Sequence, residues 1–248
     1  KADLLIGNNV LAHVPNINDF VKGLKILLNE KGTITMEFPH LIELIENNQF
    51  DTIYHEHFSY LSLYSVKQIF EQQGLKIYFV EKLSTHGGSI RIYATHTSND
   101  IEVLPIVNEL LELEIKKGVN KLEYYKGFQH NVLKIKLDLL DFLISMKKEN
   151  KKVVAYGAAA KGNTLLNYCG VKNDLIDYVV DANPNKQQKY LPASHIPILS
   201  EEKIKETKPD YVLILPWNLK TEITEQLAYI KDWGAKLVVP IPHLEIIN

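Results

Sequence analysis

Apolar residues along this chain fall into two rhythms. Short, nearly continuous runs occur at 3–7 (DLLIG), 33–38 (TITMEF), 76–83 (KIYFVEKL) and 89–96 (SIRIYATH). Runs of this kind predict strands, and the first fits a strand buried in a parallel sheet. Between them Ile17, Phe20, Val21, Leu24, Leu27 and Leu28 recur at three- and four-residue spacing. They predict a helix over 17–29, closed by Lys31-Gly32. Pro39 ends the second strand, LIELIE follows as a helix, and another helix is expected near 65–73. The order strand, helix, strand, helix, strand, strand predicts an α/β sheet with an antiparallel edge.

Residues 101–150 change rhythm. Leu, Ile, Val, Lys and Glu recur at helical spacing, broken at Gly118 and Gly127, which predicts two long amphipathic helices. From Lys152 a second α/β pattern begins, with strands in KVVAYG, IDYVVDANP, PDYVLILPWN and AKLVVPIP. GAAAKGNTLLNYCG reads as a turn entering a helix, and another helix is expected near 219–231. Such alternation predicts a parallel doubly wound sheet, whose ligands lie at the carboxyl ends of the strands. The candidate rim is Gly157–Gly162, Asp181–Lys186 and Pro216–Asn218. Three regions are expected: 1–98, a helical connector over 99–150, and a Rossmann-like domain over 151–248. No repeat or low-complexity tract interrupts them.

Composition narrows the class. Of 248 residues 46% are hydrophobic, enough for a sizeable core. Twenty-eight basic and thirty acidic residues give a net charge of -2, so no global field favours nucleic acid. No apolar run reaches the roughly 18–20 residues that span a bilayer. The one cysteine, Cys169, excludes an internal disulfide or a Cys-clustered zinc site in this chain. A soluble, cytoplasmic protein is expected, and because the chain opens on Lys1 it reads as a piece of a longer one. Arg91 is the only arginine, which hints at a need for its planar fork or is chance.

The densest polar constellation is Tyr54-His55-Glu56-His57, with Tyr60 and Ser62 after it. If extended, it puts Tyr54 and Glu56 on one face and the two histidines on the other; if it starts a helix, the four fan out. Imidazole suits proton removal near neutral pH, a carboxylate can orient it, and a tyrosine can support a developing oxyanion. His55 and His57, with His86 or a carboxylate, could instead ligate a metal, or the rings could simply pack beneath a loop. His13, Asn8 and Asn9 follow the first strand and so stand at the carboxyl edge of the sheet. In the second half, Gly157-Ala158-Ala159-Ala160-Lys161-Gly162 enters a helix N-terminus, which favours a phosphate. Tight helix–sheet packing would use the same small residues. Asp181 ends the next strand, where dinucleotide folds meet a ribose, yet no GxGxxG is present.

GNNVLAHVP, EFPHL, FDTIYHEHFSYLS, HGGSIRIY, YGAAAKGNT, VDANPNKQ, HIPI and LPWN, in this order, resemble the C-methyltransferases of nucleotide-linked deoxysugars. The resemblance implies the C-terminal part of a Rossmann-like methyltransferase sheet, then the connector, then a second Rossmann-like domain that helps hold the sugar nucleotide. It implies S-adenosylmethionine as methyl donor, met here by Asn8 and Asn9. Zinc is expected only in an N-terminal module whose cysteines this chain lacks. The Gly-rich loop that grips the donor is also missing, so the sheet is entered at about its fourth strand. By resemblance His57 is the base, with Tyr54, Glu56 and His13 beside it. Arg91, Gly157, Ala160, Lys161, Gly162, Asp181 and Asn218 become substrate contacts. His40 and His55 receive no role. No metal is needed for that chemistry. The alternatives are a non-catalytic nucleotide-sugar-binding module and a His/Glu metalloenzyme.

Overall fold

The computed structural model describes residues 1–247, which form two compact units. One comprises 1–46 and 55–127, the other 47–54 and 128–247.

In the first unit β1 (Ala2–Asn8) leads through a 3-10 turn over Leu11–His13 to α1 (Ile17–Leu27) and β2 (Leu28–Pro39). Asn16 caps α1 by accepting from the Asp19 amide at 3.0 Å. The expected helix stop at Lys31-Gly32 is corrected: the helix ends at Leu27, and Gly32 lies within β2. A side chain there would meet the Ala2 carbonyl at 2.9 Å, so glycine serves close strand approach. Next come α2 (Leu41–Glu46), α3 (Leu63–Gln72), β3 (Leu75–Leu83), β4 (Ser89–His96) and α4 (Pro105–Lys117). The sheet order is β1-β2-β4-β3, parallel at β1/β2 and antiparallel on to β4 and β3, which gives the expected antiparallel edge. Ile34, Met36, Phe38, Ile90 and Ile92 are buried in its core with Phe70 and Leu75.

In the second unit α5 (Phe128–Lys148) precedes β5 (Val153–Tyr156), α6 (Ala160–Cys169), β6 (Val179–Val180) and β7 (Ile198–Leu199). Then follow α7 (Glu202–Thr207), β8 (Tyr211–Ile214), α8 (Lys220–Gln226), β9 (Lys236–Val239) and β10 (Glu245–Ile247). The expected helix near 219–231 is α8 followed by a 3-10 stretch over Ala228–Trp233. The strand order is β10-β9-β8-β5-β6-β7, parallel except for β10. This is the doubly wound order, with its switch point between β5 and β8. The two connector helices form as expected, but they part company. Val107 and Leu110 of α4 join the first unit's core, whereas Val132, Ile135, Leu139, Phe142 and Leu143 of α5 join the second's. Residues 47–54 also join the second unit as a strap, with Phe50 in its core. Among the described residues no helix is long and apolar enough to cross a membrane.

Candidate functional site

Polar side chains of the first unit gather beyond the carboxyl end of β1. Asn8 is exposed, and Asn9 takes a left-handed turn (φ 55°) with its amide on the Glu37 carbonyl at 2.8 Å. The Asn9 side-chain nitrogen lies 2.9 Å from His86 Nε2, and its Oδ1 is buried with no hydrogen-bond partner. His86 sits in the loop before β4, also left-handed (φ 57°).

The 3-10 turn at Leu11–His13 holds the histidine loop. The Ala12 carbonyl accepts from the Phe58 and Ser59 amides at 2.9 and 3.2 Å. This pinning brings the His57 ring against His13 edge to face, centroids 4.7 Å apart, with Tyr60 6.2 Å from His57 on a perpendicular plane. Burial raises the Tyr60 hydroxyl above its ordinary range. The segment is neither extended nor helical: it turns at Tyr54–Glu56, leaving His55 and Glu56 exposed. Tyr54 belongs to the second unit. Among the described residues no three His, Cys, Asp or Glu side chains converge as a metal-ligand set.

Arg91 does use its fork. Register places Glu37, Arg91 and Glu81 side by side across β2, β4 and β3. Arg91 donates to Glu37 at 2.7 Å and Glu81 at 2.9 Å, and Tyr93 adds a bond to Glu81 at 2.8 Å. Burial works to raise the Glu37 carboxyl, but bonds from Arg91 and Thr85 outweigh it and hold it below the usual range. Since Thr85 donates at 2.8 Å, the network also fixes the loop that carries His86.

In the second unit Gly157 follows β5 with φ 91°, and a side chain there would strike Pro216 at 2.5 Å. Only glycine serves at that position. Asp181 is held by its own turn: it accepts from the Ala158 amide at 2.7 Å, the Asn183 amide at 2.9 Å and Lys186 at 3.1 Å. Ala160, Lys161 and Gly162 form the first turn of α6, with Gly162 tight against Leu215. Lys161 lies over the Trp217 ring, 4.6 Å from its centroid and 3.4 Å from Asn218 Oδ1.

Sequence reasoning missed Asp51. It is fully buried, and it accepts from Trp217 Nε1 at 2.7 Å. Burial pushes its carboxyl from the ordinary 3.8 up to about 6, against the Trp217 bond and the Lys161 charge. The folded chain therefore holds this proton to higher pH than the unfolded chain does. Stability is expected to fall as pH rises from about 4 to about 6, by up to about 3 kcal/mol, and then to level off. Glu37 and Asp210, held below their usual range, act in the opposite sense and at lower pH. The check is therefore the difference in urea stability between the wild-type chain and Asp51→Asn across pH 4–7. A pH-independent difference would contradict the assignment.

Comparison with known proteins meets this geometry. Residues 84–242 match the family described as C-methyltransferase C-terminal domain, and residues 1–79 match a methyltransferase domain. The whole chain is 38% identical over 247 residues to C-methyltransferase NovU of Streptomyces niveus. The chain belongs to the C-methyltransferase family. It spans 59% of the length of NovU. Among solved structures, an S-adenosylmethionine-dependent methyltransferase from Listeria monocytogenes, itself described as unproven, covers 38% of the chain and 61% of its own at 12% identity and a TM-score of 0.30. A protein from Pyrococcus horikoshii OT3 covers 38% and 51% at 15% identity and a TM-score of 0.32. Likenesses this partial carry no argument. In this C-methyltransferase chain the methyltransferase match ends within β3, and the C-terminal match takes in β4, α4 and nearly all of the second unit.

Proposed function

We propose that this chain is part of an S-adenosylmethionine-dependent C-methyltransferase acting on a nucleotide-linked keto-deoxysugar, and that it supplies the base. The observation that carries the reading is the His13–His57 ring pair, pinned beside the carboxyl end of β1 in a chain of this family.

The methyl donor fits the same edge. Asn9 leaves a buried oxygen without a partner where a ligand donor can satisfy it, and Asn8 is exposed beside it. When bound, S-adenosylmethionine supplies an electrophilic methyl on a positively charged sulfur. His57 removes a proton from the carbon next to the sugar ketone, and the electron pair moves onto the ketone oxygen as an enolate. Bound there, the donor would supply its methyl to that carbon, with the carbon–sulfur bond broken and the sulfur left as a neutral thioether. Glu56 and His13 orient the base or support the enolate oxygen. Gly157, Ala160, Lys161, Gly162, Asp181 and Asn218 receive the nucleotide part, with Asp181 acting through the turn that it holds closed. Arg91 supports the site by ordering the His86 loop.

The test is transfer of a carbon-13 methyl label from S-adenosylmethionine to a nucleotide-linked 4-keto-deoxysugar by the whole protein. New carbon–carbon coupling in the product supports the reading. Label on oxygen or nitrogen, or no transfer by folded protein, overturns it.

A further inference from the structure

The switch point of the second unit contains a buried polar chain that the proposed chemistry leaves unexplained. Lys161, on the first turn of α6, lies against the face of Trp217. Trp217 is itself fixed by donating its indole N–H to Asp51 of the strap, and both residues are buried. The second carboxylate oxygen of Asp51 is buried with no hydrogen-bond partner. Besides the indole bond, the nearby Asp51 and Thr52 amides favour its charged form, and Lys161 is the charged group that acts on it.

The coupling runs both ways. Burial makes the Lys161 ammonium easier to deprotonate, and Asp51 is the charge that opposes this. A carboxylate at the indole N–H also makes the ring face more negative, which strengthens its hold on a cation. A lysine on a flexible stem is otherwise a loosely placed point charge.

We propose that Asp51 and Trp217 are positioning residues that hold the Lys161 ammonium at the carboxyl ends of β5 and β8 to receive the diphosphate of the nucleotide sugar. This rests on the reading that Lys161 meets that diphosphate. The position suits the role, since ligands of a doubly wound sheet enter at the switch point and an α-helix N-terminus adds favourable dipole there. The strap is thus part of the binding machinery, although it comes from a distant part of the sequence.

Calorimetric titration with thymidine diphosphate, used as the probe from pH 6 to 10, tests both layers. Lys161→Ala is expected to weaken binding at least tenfold. Trp217→Leu is expected to weaken it about threefold or more, with partial rescue by Trp217→Phe. Asp51→Asn, which keeps an acceptor for the indole, is expected to move the upper-pH limb of binding to lower pH, a change that mere packing would not cause. Unchanged affinity in Lys161→Ala overturns the diphosphate reading and this inference with it. A loss in Lys161→Ala with an unmoved pH limb in Asp51→Asn overturns the positioning role alone and leaves the reading standing.

Discussion

Replacing His57 with alanine in the whole protein is expected to lower methyl transfer by about a hundred- to ten-thousandfold, the usual worth of a general base. Nucleotide binding should survive, because the proposed diphosphate contacts lie in the second unit, around Lys161. The loss follows from what must happen first: no carbon attacks the methyl until its proton has gone. Exchange of that proton with solvent, followed by NMR without S-adenosylmethionine, isolates the step and should disappear with the ring. His13 meets His57 edge to face rather than at the reacting carbon, so His13→Asn is expected to slow transfer less, by about tenfold. Turnover within twofold of wild type in a folded His57→Ala protein would remove His57 from the role of base.

Much of the frame behind these residues was legible in the sequence. Buried parallel strands are apolar almost throughout, so β5, β8 and β9 show themselves without any partner being known; β1 forms as a strand but not as the buried one expected, since it lies at the sheet edge with Leu4 and Ile6 exposed. Helical spacing likewise marks α1, α4 and α5. Elements whose stability comes from elsewhere escaped. The two-residue β7 lies in HIPILS, too short for any period, and pairs because β6 lies beside it. NNQFDTIY carries no periodic signal that singles out Asp51, yet Asp51 is buried with Trp217, 166 positions away, offering it an indole N–H. Spacing reports which face a side chain takes, not the partner that lets a charge stay inside. The lone arginine is intermediate. Its fork was suspected from its rarity, but the two carboxylates it bridges follow only from strand register.

Glu114 shows the same limit with a larger energy attached. In ELLELEIKK it resembles any solvated helical glutamate, although it continues the stripe Val107, Leu110, Glu114 that faces the core. That stripe was its one sequence signal. In the fold Glu114 is fully buried. One oxygen accepts from the Leu63 amide at 2.8 Å and meets His40 Nε2 at 2.7 Å; the other accepts from the Tyr64 amide at 2.6 Å. These are the first two amides of α3, and the Ser62 side chain satisfies that of Ser65 at 3.1 Å. A helix start buried without partners would leave these donors dry, and a negative group there also suits the helix dipole. His40, which carries no catalytic role, completes the arrangement.

Glu114→Ala strips a buried amide, a partly buried one and a buried imidazole of their acceptor at once. Removing one partner of such a buried pair costs about 3–5 kcal/mol, a large share of the roughly 5–15 kcal/mol that keeps a domain folded. Glu114→Gln retains one acceptor oxygen and should lose less, about 1–3 kcal/mol, the penalty of one buried group left unsatisfied. Urea unfolding of the three proteins, with slopes compared so that only the midpoint is read as stability, ranks them. If alanine lies within about 1 kcal/mol of wild type, the α3 amides must find other partners and Glu114 is not what holds that helix start in place.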